Sequence, residues 1–176
     1  MMQPDTWFQL SQEIRRYRES KGFETATWDT AGTRFACIAA ELWEVEEALI
    51  EANKTGSTDH VRKELAGVTT YAVGLQMDLE LELGTQRTRI HQFIPRFSSP
   101  AYLTQFLRKH WRAGFEAWRR GDRKETAVGL EILVCAVNHL RSTVLQIPGD
   151  LITDCLQILE EGAQRPFRHG GKHPLT

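Results

Sequence analysis

The sequence has few cysteines, and their positions do not favour a metal site. Cys37, Cys135 and Cys155 are odd in number, widely spaced and flanked by apolar or helix-forming residues. There is no C-x-x-C pair, which excludes the commonest zinc and dithiol motifs. We therefore expect three free, buried thiols in a protein that works in a reducing compartment such as the cytoplasm.

The chain also has almost no net charge. It carries 22 basic and 23 acidic residues, for a formal charge of -1. This balance provides no general attraction to a nucleic acid polymer or to an anionic membrane, so any phosphate binding must be local. No segment approaches the roughly 18 consecutive apolar residues of a membrane span, and no basic segment followed by an apolar run begins the chain. We expect a soluble, cytoplasmic protein.

Patterns typical of β-strands are missing, whereas apolar residues recur at helical spacing throughout the chain. A length of 176 residues is enough for one domain with a hydrophobic core. Periodicity and capping residues predict an all-α bundle of five to six helices. The expected helices cover residues 6–21, 29–56, 58–83, 100–120, 124–145 and 150–161.

These helices predict two hairpins within a single domain. The first occupies residues 29–84, an irregular linker follows at 85–99, the second hairpin occupies 100–146, and a helix with a basic tail occupies 150–176. The second hairpin is interpreted as a degenerate copy of the first, without its acidic residues. Two unrelated amphipathic hairpins would align equally well.

A row of acidic residues marks the second helix. Glu41, Glu44 and Glu47 are three residues apart, so they follow one side of a helix and repel one another. Such a row is tolerated when water solvates it or when a cation lies among its oxygens, and alone it is typical of a solvated surface. An antiparallel hairpin can bring Glu64 opposite Glu41 and Glu44, which favours a metal site.

The acids also carry a family resemblance. The segment A-E-L-W-E-V-E-E-A-L contains Glu41 and Glu44, and 19 residues separate Glu44 from Glu64-Leu65-Ala66. This E-x-x-E motif and the later Glu resemble the signature of the all-α nucleoside triphosphate pyrophosphohydrolases, the superfamily of MazG-like proteins and dimeric dUTPases. The resemblance implies a MazG-like bundle that forms a homodimer or higher homo-oligomer. It also implies Mg²⁺-dependent, or Mn²⁺-dependent, hydrolysis of a nucleoside triphosphate to the monophosphate and pyrophosphate, as house-cleaning of the nucleotide pool.

Two departures from the family pattern bear on activity. Gly67 stands where the family has its closing Asp, and Ala40 stands where many members carry an acid before the first Glu. One metal-binding carboxylate is therefore missing. The alternative function is a catalytically impaired relative that binds a nucleotide or a protein partner, and a plain helical oligomerisation module is a third interpretation.

The candidate site residues follow from this chemistry. Mg²⁺ prefers oxygen ligands, which Glu41, Glu44 and Glu64 supply. Glu47 is the candidate catalytic base. The candidate substrate-binding residues are tryptophans that stack on a base and basic residues that contact phosphate: Trp28, Trp43, Lys54, Lys63 and His60. Each has an ordinary alternative, because tryptophans at helical spacing usually pack in a core and lysines usually lie on the surface. The basic tail, with Arg165, Arg168 and Lys172, either folds over a triphosphate or is disordered.

Overall fold

The computed structural model describes residues 4–82, 94–95 and 98–164. Within these residues the chain forms six α-helices and no strand, which confirms the predicted all-α bundle. The helices are α1 (Pro4–Ser20), α2 (Ala31–Thr55), α3 (Asp59–Asp78), α4 (Pro100–Arg119), α5 (Arg123–His139) and α6 (Leu151–Gln164). Most of the predicted linker and the tail with Arg165, Arg168 and Lys172 lie outside the described residues.

Helices α2 and α3 form an antiparallel hairpin around a short turn. Gly56 ends α2 in a left-handed conformation, with φ of 76°, and its N–H donates to the Ala52 carbonyl at 2.8 Å. Beyond the turn, Glu51 meets His60 and Glu44 approaches Glu64. Residue numbers that rise along one helix therefore meet falling numbers along the other, as an antiparallel pair requires.

Helices α4 and α5 form a second hairpin whose crossing depends on two glycines. Ser99 caps α4 by accepting the Tyr102 N–H at 3.2 Å. A Cβ added to Gly129 would lie only 2.5 Å from the Gly114 Cα, so the two helix backbones touch where neither residue has a side chain. This hairpin packs against α2, where the Trp111 indole N–H donates to the Phe35 carbonyl at 3.1 Å.

Helices α1 and α6 pack together and against α3. The Lys21 ammonium of the α1 end donates to the Ala163 carbonyl at 3.0 Å, and the Cys155 thiol contacts the Ala66 carbonyl at 3.7 Å. Of the three free thiols, Cys155 is buried as expected. Cys37 and Cys135 are only half-buried, because they lie at the edges of their helical interfaces rather than within them.

Helix α3 is shorter than the sequence predicts. The expected end is near residue 83, but the helix ends at Asp78. Glu80 adopts a left-handed conformation with φ of 52°, and the Leu81 N–H donates back to the Gln76 carbonyl at 2.9 Å. The Asp78 carboxylate is held by the Ala26 N–H at 3.1 Å and by Arg18 at 2.7 Å. These tertiary contacts favour a stop at Asp78, although the following residues are not helix breakers.

The predicted helix over 124–145 is also interrupted. After α5 the backbone widens into a π-helical turn at Leu140–Val144. Arg141 lies fully buried within it and pairs with Asp154 of α6 at 2.7 Å. The same guanidinium donates to the carbonyls that end the connection to α6, those of Ile147, Pro148 and Gly149.

The segment Arg123–Val144 is the one candidate membrane span among the described residues, by length and composition only, because an 18-residue window within it has a mean hydropathy of 1.2. Of that window, 56% is buried inside the bundle. Such burial is typical of the core helix of a soluble protein.

Replacing Arg141 with leucine should destabilise the protein by about 3 to 5 kcal/mol, because the buried Asp154 would lose its closest partner and keep only Arg62, 3.7 Å away. Urea denaturation of Arg141→Leu measures the loss. The control is Thr143→Ala, on the exposed side of the same turn, which should change the free energy of unfolding by less than about 0.5 kcal/mol. Equal stability of the two variants would contradict a structural role for the Arg141 network.

Candidate functional site

Three carboxylates converge where α2 packs against α3. Glu41 and Glu44 lie one turn apart on α2, Glu64 lies on α3, and one oxygen from each is within 4.8 Å of the others. Glu41 and Glu64 are half-buried, whereas Glu44 is exposed. The structure thus brings together the three acids that the sequence proposes as metal ligands. Their function as ligands stays a prediction.

Gly67 explains how the Glu41 carboxylate fits between the helices. A Cβ built at Gly67 would overlap the Glu41 Oε2 atom. The Glu41 carboxylate therefore occupies the space in which an aspartate side chain at position 67 would begin. The absence of a side chain at position 67 therefore allows the inward position of the Glu41 carboxylate.

Burial and mutual repulsion raise the pKa values of Glu41 and Glu64. Burial, followed by the charges of Glu44 and Glu64, raises the pKa of Glu41 to about 8. Burial and a hydrogen bond with Glu44 also raise the pKa of Glu64. At neutral pH Glu41 therefore retains its proton, and a bound cation is the alternative means of relieving the repulsion.

The donor set suits a small divalent cation. Mg²⁺ binds oxygens at about 2.1 Å, so its ligand oxygens lie about 3.0 Å apart when adjacent and about 4.2 Å apart when opposite. The carboxylate oxygens lie within 4.8 Å of one another, so side-chain movements of about 1 to 2 Å bring them to these spacings. Three carboxylates supply oxygen ligands alone, which suits Mg²⁺ or Mn²⁺ better than a soft metal.

His60 connects Glu64 to a further carboxylate. Its Nδ1 atom lies 2.7 Å from Glu51 Oε2, and its Nε2 atom lies 3.1 Å from Glu64 Oε1. The hydrogen bond with Glu51 is the main reason that the pKa of His60 is raised. The sequence suggests that His60 contacts phosphate, but the structure places the ring between two acids.

The acids line a cavity of about 280 Å³ that α1, α2, α3 and α6 enclose. Arg18, Arg34 and Lys63 line the same cavity. The Arg18 guanidinium pairs with Asp78 at 2.7 Å and donates to the Gly74 carbonyl at 3.2 Å. Burial lowers the pKa of Arg18, and the neighbouring Asp78 opposes that effect. The same cavity therefore presents positive groups as well as carboxylates, and Asp78 holds one of these groups, the Arg18 guanidinium, in place.

Arg18, Arg34 and Tyr71 line the cavity, but the sequence does not predict them as site residues. Tyr71 lines the cavity, and burial is the main reason that its pKa is raised. Helical spacing alone is enough to place Tyr71 beside the acids, because Glu64, Gly67 and Tyr71 lie three and four residues apart on one helix face. Arg18 comes from α1, and no sequence spacing relates that helix to the acidic hairpin.

The other predicted site residues lie elsewhere, with the exception of Lys63. Glu47 and Lys54 are exposed on α2 and do not line the cavity. Trp43 is 61% exposed beneath the Arg108 guanidinium, which lies 3.9 Å from its ring centre. Trp28 is half-buried, and its carbonyl accepts the Trp118 indole N–H at 2.9 Å. Their functional roles stay predictions.

Comparison with protein-family models, with curated proteins and with solved structures found no match to this chain. The resemblance to the all-α pyrophosphohydrolases therefore depends on the E-x-x-E motif and Glu64. The geometry of the cavity is the main evidence for its function.

The stability of the metal-free protein should fall as the pH rises from about 5 to 8. The ordinary pKa of glutamate is 4.5, and that of folded Glu41 is about 8. In this range the folded chain keeps a proton that the unfolded chain releases, so rising pH favours unfolding. The loss should be at least about 1 kcal/mol, because one pKa unit corresponds to about 1.4 kcal/mol.

Urea denaturation in the presence of a chelator, at several pH values, measures this slope. Glu41→Gln should reduce it, whereas Glu47→Gln, on the exposed side of the same helix, should leave it unchanged. The same slope in wild type and in Glu41→Gln would show that Glu41 is not the group responsible.

Proposed function

We propose that this protein is a Mg²⁺-dependent nucleoside triphosphate pyrophosphohydrolase of the MazG-like type, acting in house-cleaning of the cytoplasmic nucleotide pool. The observation that supports the proposal is one cavity in which three carboxylates lie near Arg18, Arg34 and Lys63. Carboxylate oxygens suit a hard divalent cation, and guanidinium groups suit phosphate oxygens. A metal-bound triphosphate requires both kinds of group, carboxylates for the cation and guanidinium groups for the phosphates.

Different residues of the cavity would bind the cation and the phosphates. Glu41, Glu44 and Glu64 would hold Mg²⁺ or Mn²⁺, which when bound neutralises phosphate charge and orients the attacking water. Arg18 is held by Asp78 and the Gly74 carbonyl, so its guanidinium contacts a phosphate from a fixed position. Lys63 lies at the edge of the cavity, where it pairs with Glu161 at 3.4 Å.

A second candidate function is a catalytically impaired relative that binds nucleotide or a protein partner. Two observations favour it. The backbone of Gly67 contacts Glu41 where the family motif has an acid, and Glu47, the candidate base, does not line the cavity. The two functions share the binding site and differ in turnover.

Association into a homodimer is part of the proposal. Helix α2 leaves Trp43 and Ile50 exposed, at 61% and 42%. Large apolar side chains on one exposed helix face are suited to contact with a second copy of the chain.

Glu44→Ala should abolish release of pyrophosphate from the nucleoside triphosphate that the wild type prefers, because the cation would lose a ligand. The measurement is pyrophosphate release from a panel of canonical and modified nucleotides, with Mg²⁺ or Mn²⁺, together with thermal stabilisation by each nucleotide. Glu160→Gln, an exposed acid on α6, is the control and should retain full activity.

The same panel separates the two candidate functions. Wild-type turnover that Glu44→Ala loses supports the hydrolase. Stabilisation by nucleotide without pyrophosphate release supports the impaired relative. If no nucleotide is bound or hydrolysed, the hydrolase and a nucleotide-binding relative are both wrong, and a protein-binding relative or the oligomerisation module remains.

Restoring the family acid tests the role of Gly67 directly. Gly67→Asp should bind Mn²⁺ more tightly than wild type, roughly tenfold or more, since a further charged ligand is worth at least about 1.4 kcal/mol. The Glu41 side chain is flexible enough to move away from the new Cβ. The matched control, Gly67→Ala, displaces Glu41 without adding a ligand and should not gain affinity. Equal Mn²⁺ affinity in Gly67→Asp and Gly67→Ala would exclude position 67 from the metal site.

A further inference from the structure

The cavity that contains the acids has an apolar end formed by α1, α6 and the residue Phe23. Ile14 of α1 and Ile158 and Leu159 of α6 line it together with Phe23. Ile158 and Leu159 are only half-buried, although the rest of α6 packs against α3 and α1. Two large aliphatic side chains that pack against the core therefore also line the cavity.

Aromatic rings complete this apolar end. Tyr17 lines the cavity beside Phe23, with ring centres 6.1 Å apart and ring planes inclined by 41°. Gly162 of α6 allows the helix to approach closely, because a Cβ at that position would lie 3.1 Å from the Tyr17 ring. The rings of Tyr17 and Phe23 and the aliphatic residues of α6 thus line the same cavity.

The apolar end is continuous with the charged end. Tyr71 lines the cavity and is close enough to both Glu41 and Tyr17 for their charges to affect its titration. A ligand with a flat apolar part and a polyanionic part therefore matches the two ends of one cavity. A cavity of this size, near 300 Å³, is at the lower limit of small-molecule sites.

We propose that the apolar end, lined by Tyr17, Phe23 and Leu159, binds the base of a nucleoside triphosphate whose phosphates extend toward the carboxylates. This inference rests on the proposed function and specifies how the substrate lies in the site. Bases bury their faces against aromatic and aliphatic side chains, and such contacts tolerate different bases. The base then contacts α1 and α6, whereas Trp28 and Trp43 lie outside the cavity.

Binding, rather than turnover, tests the orientation. Calorimetry in Mg²⁺ compares α,β-imido UTP and α,β-imido ATP with inorganic tripolyphosphate, since the imido bond resists cleavage at the position that the proposed reaction breaks. The binding of free uridine and free adenosine is measured in the same way. Leu159→Asn makes the apolar end polar. Leu156→Asn introduces the same change on α6 at a residue that is 38% exposed and does not line the cavity.

Wild type should bind an imido nucleotide at least tenfold more tightly than tripolyphosphate. Leu159→Asn should reduce that preference about fivefold, the effect of losing roughly 1 kcal/mol of apolar contact, without weakening tripolyphosphate binding. Leu156→Asn should retain the wild-type preference. Thermal denaturation of both variants verifies that they are folded.

Each contrary result has a distinct meaning. Equal affinity for tripolyphosphate and both nucleotides, or equal effects of the two leucine variants, would overturn the base site and leave the proposed function standing. Binding of free nucleoside that Leu159→Asn alone weakens, without any binding of triphosphate, would support the base site and refute the pyrophosphohydrolase. No binding of any probe would refute both.

Discussion

The contact between the Glu41 carboxylate and the backbone at Gly67 determines the character of the site. It is possible only because α2 and α3 pack closely at a residue without a side chain. The contact holds a carboxylate within 4.8 Å of two others, partly out of water, where like charges are costly. Protons relieve that cost in the free protein, as the raised pKa values of Glu41 and Glu64 indicate. The same oxygens provide a cation with ligands that need little rearrangement.

The side of the cavity that α6 forms is held in place by interactions outside the cavity. Asp154 of α6 pairs with Arg141 beyond α5 at 2.7 Å, and Arg62 of α3 lies 3.7 Å from the same carboxylate. One buried acid therefore connects α6 to the α3 helix that carries Glu64 and to the π-helical turn. Because Ile158 and Leu159 follow Asp154 by one turn, this network also positions the apolar side of the cavity. The π-helical turn is thus part of the support for the proposed base site.

The sequence predicts the parts of this molecule that depend on short-range spacing. The positions of Glu41 and Glu44 follow from helical periodicity, and Glu64 follows from a tight turn that folds α3 back on α2. Contacts between helices that are distant in sequence do not follow from spacing, so the sequence predicts neither the position of Arg18 nor the α6 residues that line the cavity. The predicted end of α3 near residue 83 is wrong for the same reason, because Asp78 is held by residues of α1 and the following connector.

On the proposed function, the protonated state of Glu41 bears on the order of binding. At neutral pH a group whose pKa is about 8 is mostly protonated, so a cation alone must displace that proton. A triphosphate contributes its own oxygens to the cation and faces Arg18 and Arg34 across the cavity. Cation and nucleotide would therefore assist one another, and a site with three carboxylates would depend on the nucleotide for the remaining ligands. A weak site for the cation alone is consistent with a site for the cation–triphosphate complex, and Gly67 is compatible with either turnover or simple binding of that complex.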